Sequence, residues 1–264
     1  MSLRLAWKTD PGLHREENED SVLVWEGRAG LDALLLVCDG MGGHAAGSRA
    51  STLAIETMSE ALLNDGREGA DRERLVTAFA SANAAVYEAS RRVTEWAGMG
   101  STVTALAIRG HRLALLNVGD SPAYLIRDGE IHPIAQDHSW PAEQVRLGII
   151  RPEEASEHPY KHRLTRAVGI WDQVQPFTAL IELEPGDVLA VCSDGIETAG
   201  IEKEEVRDLL AGDDLEAGVE AIMRRCLDLG GPDNLTLAVA RLLPEGPDDS
   251  PTVLLPAPGP SPGE

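Results

Sequence analysis

Three cysteines among 264 residues, odd in number and far apart, cannot build a disulfide framework. Cys38 and Cys192 sit inside apolar runs, where a thiol packs as a small hydrophobe, so redox chemistry is not expected of them. Aromatic residues are scarce at 4%, and the five Trp do not form a stacking platform for single-stranded nucleic acid. Basic charge is in deficit: 23 Lys and Arg stand against 44 Asp and Glu, giving a net charge of −21. That balance excludes nucleic-acid or anionic-membrane binding as a main function, since both need a basic surface. No apolar run approaches the roughly 18 residues that a membrane-crossing helix needs. Met1-Ser2-Leu3-Arg4 does not begin a signal-peptide core. These absences predict a protein of the reducing cytoplasm, working without membrane or nucleic acid.

What the chain does have is aspartate where apolar runs stop. Leu34-Leu35-Leu36-Val37-Cys38 ends in Asp39-Gly40, Leu113 to Gly119 ends in Asp120, and Val188 to Ser193 ends in Asp194-Gly195. Asp233-Asn234 opens the run from Leu235 to Leu242. Runs this short and apolar predict strands covered on both faces. A single Asp-Gly after a strand reads equally as a hairpin turn. Turn chemistry does not explain the set, which would gather several carboxylates at one edge of one core. Two like charges about 4 Å apart cost roughly 4 kcal/mol at an effective dielectric near 20. Protons or cations must therefore neutralise the cluster. Few Lys or Arg flank these motifs, so metal ions are the better answer, and oxygen-only ligands suit Mg²⁺ or Mn²⁺ better than zinc. Two such ions about 3.5–4 Å apart would turn water into a nucleophile for attack at phosphorus. In Arg15-Glu16-Glu17-Asn18-Glu19-Asp20-Ser21, Arg15 could grip two phosphate oxygens at once; a solvated charged loop is the plainer alternative.

The order of elements predicts the fold. Strands are expected around Val22–Trp25, Leu34–Cys38, Thr102–Ile108, Arg112–Val118, Pro122–Ile126, Glu130–Ile134, Val174–Leu183, Asp187–Ser193 and Leu235–Leu243. Helices are expected at 45–63, 71–96 with Asp71 as cap, Glu202–Leu210 and Asp214–Leu229. Residues 137–170 interrupt with Pro141, Pro152 and Pro159 and short helical pieces, reading as a flap at about 140–163. Strands come in runs and helices in pairs, which favours an α+β arrangement of two antiparallel sheets with helices packed outside. The Pro- and Asp-rich tail 244–264 cannot bury a core and reads as disordered, leaving 1–243 as the domain.

With these motifs in view, the chain resembles the metal-dependent protein phosphatases, the protein phosphatase 2C family, in their bacterial form. The resemblance is carried, in family order, by Arg15 to Ser21, Asp39-Gly40-Met41-Gly42-Gly43, Gly100-Ser101-Thr102, Asn117 to Ser121, Gln136 to Ser139, Leu164 to Gly169, Ser193-Asp194-Gly195 and Gly231 to Thr236. It implies a four-layer α-β-β-α sandwich and a serine/threonine phosphoprotein phosphatase, with phosphorylated proteins and an opposing kinase as partners. It implies that Asp39 bridges two catalytic ions, that Glu19 and the Gly40 carbonyl complete one, and that Asp194 and Asp233 complete the other. Asp20 would lie in the outer shell, Arg15 would bind the substrate phosphate, and Asp120 with Asp194 would hold a third, weaker ion.

The chain also departs from the family. Many eukaryotic members carry a His two residues after the bridging Asp, where this chain has Met41, which cannot donate a proton. His44 is an alternative acid, although a surface-loop role is the plainer reading. His138, His158 and His162 read as loop residues. Pro122 replaces a basic residue common after Asp-Ser in the family. Because the motifs begin near residue 15, a stand-alone monomeric enzyme is expected. Rival readings are a phosphatase of a sigma-factor pathway, a metal-dependent hydrolase of small phosphoesters, and a pseudophosphatase. The last should have lost metal-binding carboxylates, and here all are present.

Overall fold

Along the run ending at Cys38, side chains alternate between two cores. Leu34, Leu36 and Cys38 pack into one, and Ala33, Leu35 and Val37 pack into another. This two-sided burial is what an unbroken apolar strand requires. The computed structural model describes residues 2–43, 45–67, 69, 71–155 and 158–244. Its strands are β1 (Leu3–Asp10), β2 (Asp20–Arg28), β3 (Leu31–Met41), β4 (Gly100–Ser101), β5 (Val103–Arg109), β6 (Arg112–Val118), β7 (Ala123–Arg127), β8 (Glu130–Pro133), β9 (Phe177–Glu182), β10 (Val188–Cys192) and β11 (Leu235–Leu242). Its helices are α1 (Ala45–Asn64), α2 (Asp71–Arg92), α3 (Trp140–Arg146), α4 (Pro152–Ala155), α5 (Gly195–Thr198), α6 (Lys203–Leu209) and α7 (Leu215–Asp228).

One sheet runs β1-β11-β10-β7-β8 and the other β2-β3-β5-β6-β9, with β4 pairing to β3. Every pairing is antiparallel. The two sheets face each other through Leu35, Val37, Leu189, Val191, Ala238 and Ala240. The opposite face of the β3 sheet packs on α1 and α2 through residues such as Ala54, Met58, Leu75 and Phe79. The opposite face of the β10 sheet packs on α7 through Val219, Ile222 and Met223. Each fully buried Leu contributes about 1.5–3 kcal/mol relative to exposure. The result is the four-layer α-β-β-α sandwich.

Several elements differ from their sequence expectations. β1 is an additional edge strand, and α5 is a single turn absent from the periodic pattern. The helix expected over 71–96 ends at Arg92, and a separate 3₁₀ turn covers Thr94–Trp96. Asp71, expected as a cap, is the first residue of α2, and its carboxylate accepts hydrogen bonds from Arg74 and Arg109. Arg74 is itself fully buried and ties α2 to the Ala29, Leu62 and Asp65 carbonyls. All three cysteines are buried and unpaired. No helix among the described residues is long and apolar enough to cross a membrane. Of the tail expected to be disordered, 244–264, all but Pro244 lies outside the described residues, as does His44.

Candidate metal centre

The apolar run stops at Cys38, but β3 does not. Asp39 pairs with Asp20 across β2, and Gly40 pairs with Ser101 across β4, so Asp39-Gly40 is strand rather than hairpin turn. The Gly40 N–H donates to the Glu19 carbonyl at 3.1 Å. A Cβ at Gly40 would lie 2.1 Å from the Gly47 carbonyl oxygen and 2.6 Å from that of Glu19. Only glycine admits this approach of α1 and the β2 entry, which brings Glu19 beside Asp39.

The other sheet supplies Asp194 and Asp233 from the ends of its strands, while Asp120 comes from the sheet of β3. Asp194 lies two residues beyond the end of β10 and its carbonyl accepts the first bond of α5, from Thr198 N–H at 2.8 Å. Asp233 precedes β11. Asn234 straps the long N-terminal loop onto this edge. Its Oδ1 accepts from Glu19 N–H at 2.9 Å, and its Nδ2 donates to the Pro11 and Glu17 carbonyls at 2.9 and 3.0 Å. That loop carries Arg15, whose Nη2 donates to Asp233 at 2.9 Å. Asp120 comes from the turn after β6.

One cleft of about 550 Å³ gathers Arg15, Glu19, Asp39, Gly40, Asp120, Asp194 and Asp233. Asp20 lies beneath it. Its Oδ2 accepts from Ser193 Oγ at 2.7 Å and Thr236 Oγ1 at 2.6 Å. Its Oδ1 is buried without a hydrogen-bond partner. A second hollow of about 430 Å³ adjoins the cleft and shares Asp120, His162, Asp194 and Thr198 with it. His162, expected as a plain loop residue, thus lines both. His138 is not a loop residue in that sense either: it is fully buried, and its Nδ1 accepts from Gly119 N–H at 3.1 Å. Burial, reinforced by Arg166, pushes its pKa down to about 4 and keeps it neutral.

The electrostatics match the cost argued from sequence. Burial, then the charge of neighbouring acids, pushes Asp20 up to about 7 and Asp120 up to about 8. Asp39 is raised well above the carboxylate range by burial and then by Asp20 and Asp194. Asp194 is raised by burial and then by Asp233. Burial opposes the charge on Arg15, but Asp233, Glu19 and Asp39 outweigh it. So many carboxyls held against ionisation, all with oxygen donors, fit hard divalent cations, and the unpartnered Asp20 oxygen fits a water beside such an ion. Among the described residues, no group of three or more His, Cys, Asp or Glu side chains is disposed to hold an ion on its own.

A sequence profile described as "Protein phosphatase 2C" matches residues 14–238. The chain belongs to the protein phosphatase 2C family. It is 37% identical over 241 residues to the serine/threonine protein phosphatase PstP of Mycobacterium tuberculosis, covering 91% of this chain and 45% of that one. It therefore spans about half the length of PstP. It is 33% identical over 243 residues to the protein phosphatase PhpP of Streptococcus pneumoniae, covering 91% of this chain and 98% of that one. The crystal structure of the PstP catalytic domain in complex with two manganese ions superposes with a TM-score of 0.80 at 34% identity, covering 92% of this chain and 99% of that chain.

Proposed function

We propose that this phosphatase 2C chain hydrolyses phosphoserine and phosphothreonine on proteins, using Mn²⁺ or Mg²⁺ held in the acidic cleft, with two ions and a third, weaker one. The observation that carries the reading is the convergence of four aspartates from two sheets, with Glu19 and Arg15, on one surface cleft. Bound there, the ions would lower the pKa of water enough for attack at phosphorus at neutral pH.

The chain's own residues would divide the remaining work. Asp39 would bridge the two ions, Glu19 and the Gly40 carbonyl would complete one, and Asp194 and Asp233 the other. Asp20, fixed by Ser193 and Thr236, would orient water, and Asp120 with Asp194 would hold the third ion. Arg15 would bind two phosphate oxygens as a fork. Its side chain is 46% exposed, so a phosphate carried on a folded protein can reach it. Met41 cannot protonate the leaving serine or threonine oxygen, which leaves that proton to water or another group. Residues 1–243 would form the catalytic unit, acting in the cytoplasm as a monomer against a serine/threonine kinase.

Arg15→Ala should raise KM for a phosphopeptide by about 10- to 100-fold, the range of a lost charge-assisted hydrogen bond, while lowering kcat less. Steady-state kinetics with a phosphothreonine peptide check this, and an unchanged KM removes Arg15 from the substrate site. The function itself is tested by phosphate release in Mn²⁺ from phosphothreonine and phosphotyrosine peptides. Preferential release from phosphothreonine is expected, and preference for phosphotyrosine or for small phosphoesters alone would overturn it.

A further inference from the structure

Asp39 lies on β3 and Asp120 in the turn after β6 of the same sheet, and a buried pair of hydroxyls joins them. Thr102 lies between β4 and β5, with β3 on one side and β6 beyond β5 on the other. Its Oγ1 accepts from the Asp39 N–H at 2.9 Å, and its own N–H donates to the Asp39 carbonyl at 2.8 Å. The same Oγ1 lies 2.6 Å from Ser121 Oγ, next to Asp120. The Ser121 carbonyl in turn accepts from Thr104 Oγ1 at 2.8 Å. Thr102, Thr104 and Ser121 are all buried.

The turn bearing Asp120 has left the β ladder, so side chains must fix it. Gly119, at φ +105°, lies so close to Thr102 that a Cβ there would meet the Thr102 methyl at 2.6 Å. On its far side His138 and Gly119 exchange two hydrogen bonds, at 3.0 and 3.1 Å. The turn is thus clamped between His138 and Thr102, and only the Thr102 clamp also holds Asp39.

We propose that Thr102 is a positioning residue whose hydroxyl, through Ser121, sets Asp120 relative to Asp39 and so tunes the affinity of the ion at the Asp120 side. The inference rests on the metal-centre reading above. Partners that orient metal ligands without touching the ion typically change affinity by about 10- to 100-fold when removed. Thr102→Val keeps the shape and deletes the hydroxyl, whereas Thr102→Ser keeps the hydroxyl and deletes the methyl.

The experiment is isothermal titration calorimetry of Mn²⁺ into the metal-stripped full chain, with the melting temperature of each stripped variant measured alongside. Thr102→Val should weaken the weakest site by about tenfold or more. Thr102→Ser should bind as wild type does, and Ser121→Ala should weaken the same site as Thr102→Val. Wild-type affinities in Thr102→Val, or equal losses in the Val and Ser variants, would overturn the proposal while leaving the metal centre standing. Wild-type protein that takes up no Mn²⁺ would overturn the metal-centre reading, and this inference with it. Should Thr102→Val fail to fold, Ser121→Ala decides, because it leaves the Thr102 oxygen on Asp39: weakened binding supports the proposal and unchanged binding overturns it.

Discussion

Asp39→Ala in folded protein should lose nearly all phosphatase activity, by about 10³-fold or more. The estimate follows from the several kcal/mol that metal ions contribute to transition-state charge stabilisation, at about 1.4 kcal/mol for each factor of ten. Asp39 pairs with Asp20 across β2 and lies one residue before Gly40. It feels the charges of Asp20, Asp194 and Asp120 together. Removing it deletes the one carboxylate assigned to both catalytic ions. Asp194→Ala and Asp233→Ala should be nearly as damaging. Asp39→Ala and Asp194→Ala relieve like-charge repulsion, so these stripped variants should melt no lower than wild type, apart from the small cost of a lost side chain, whereas Asp233→Ala also loses the pair with Arg15. Steady-state turnover in Mn²⁺, with the melting temperature as control, checks both halves. Near-wild-type turnover in folded Asp39→Ala would remove it from the centre.

Asp120→Ala should separate the third ion from the other two. Asp120 comes from a turn rather than a strand, and burial with Asp194 nearby pushes its pKa up to about 8. An ion held there by few protein ligands should bind weakly and exchange readily with solvent. The variant should retain two ions, lose about 10- to 100-fold in activity, and change its dependence on added Mn²⁺. A crystal of Asp120→Ala soaked in Mn²⁺ that still held a third ion at full occupancy would contradict the assignment.

The acids were legible in the sequence because they are chemically out of place. An apolar run buried on both faces that ends in a carboxylate announces a charge at the rim of a core, and three such runs announce a cluster. The strand boundaries were less legible for the same reason. Cys38 is the last apolar residue, so pattern alone ends the strand there, whereas the hydrogen-bond ladder carries β3 through Asp39 to Met41. β1 escaped because it is an edge strand: Arg4 and Lys8 interleave with its apolar residues, and Trp7 is 54% exposed, so no buried run marks it. Thr102, Ser121, Ser193 and Thr236 stand inside the motifs that carry the family resemblance, but the roles of their hydroxyls were not legible, because a buried hydroxyl is meaningful only through partners distant in the chain. Ser193 and Thr236 meet on Asp20, across 173 and 216 residues respectively. Asn234 was visible only as the residue opening a strand, while its amide spans back to Pro11 and Glu17. His138 looked like an ordinary loop histidine because its contact with Gly119 depends on how the chain after β8 folds back.

The central claim is that the acidic cleft works only when divalent cations neutralise it. The most direct test is phosphate release from a phosphothreonine peptide by the full chain after stripping with EDTA, then during titration with Mn²⁺. The account predicts no release from the stripped protein and recovery as Mn²⁺ is added, with the folded state unchanged throughout. Full activity in the stripped, metal-free protein would contradict it.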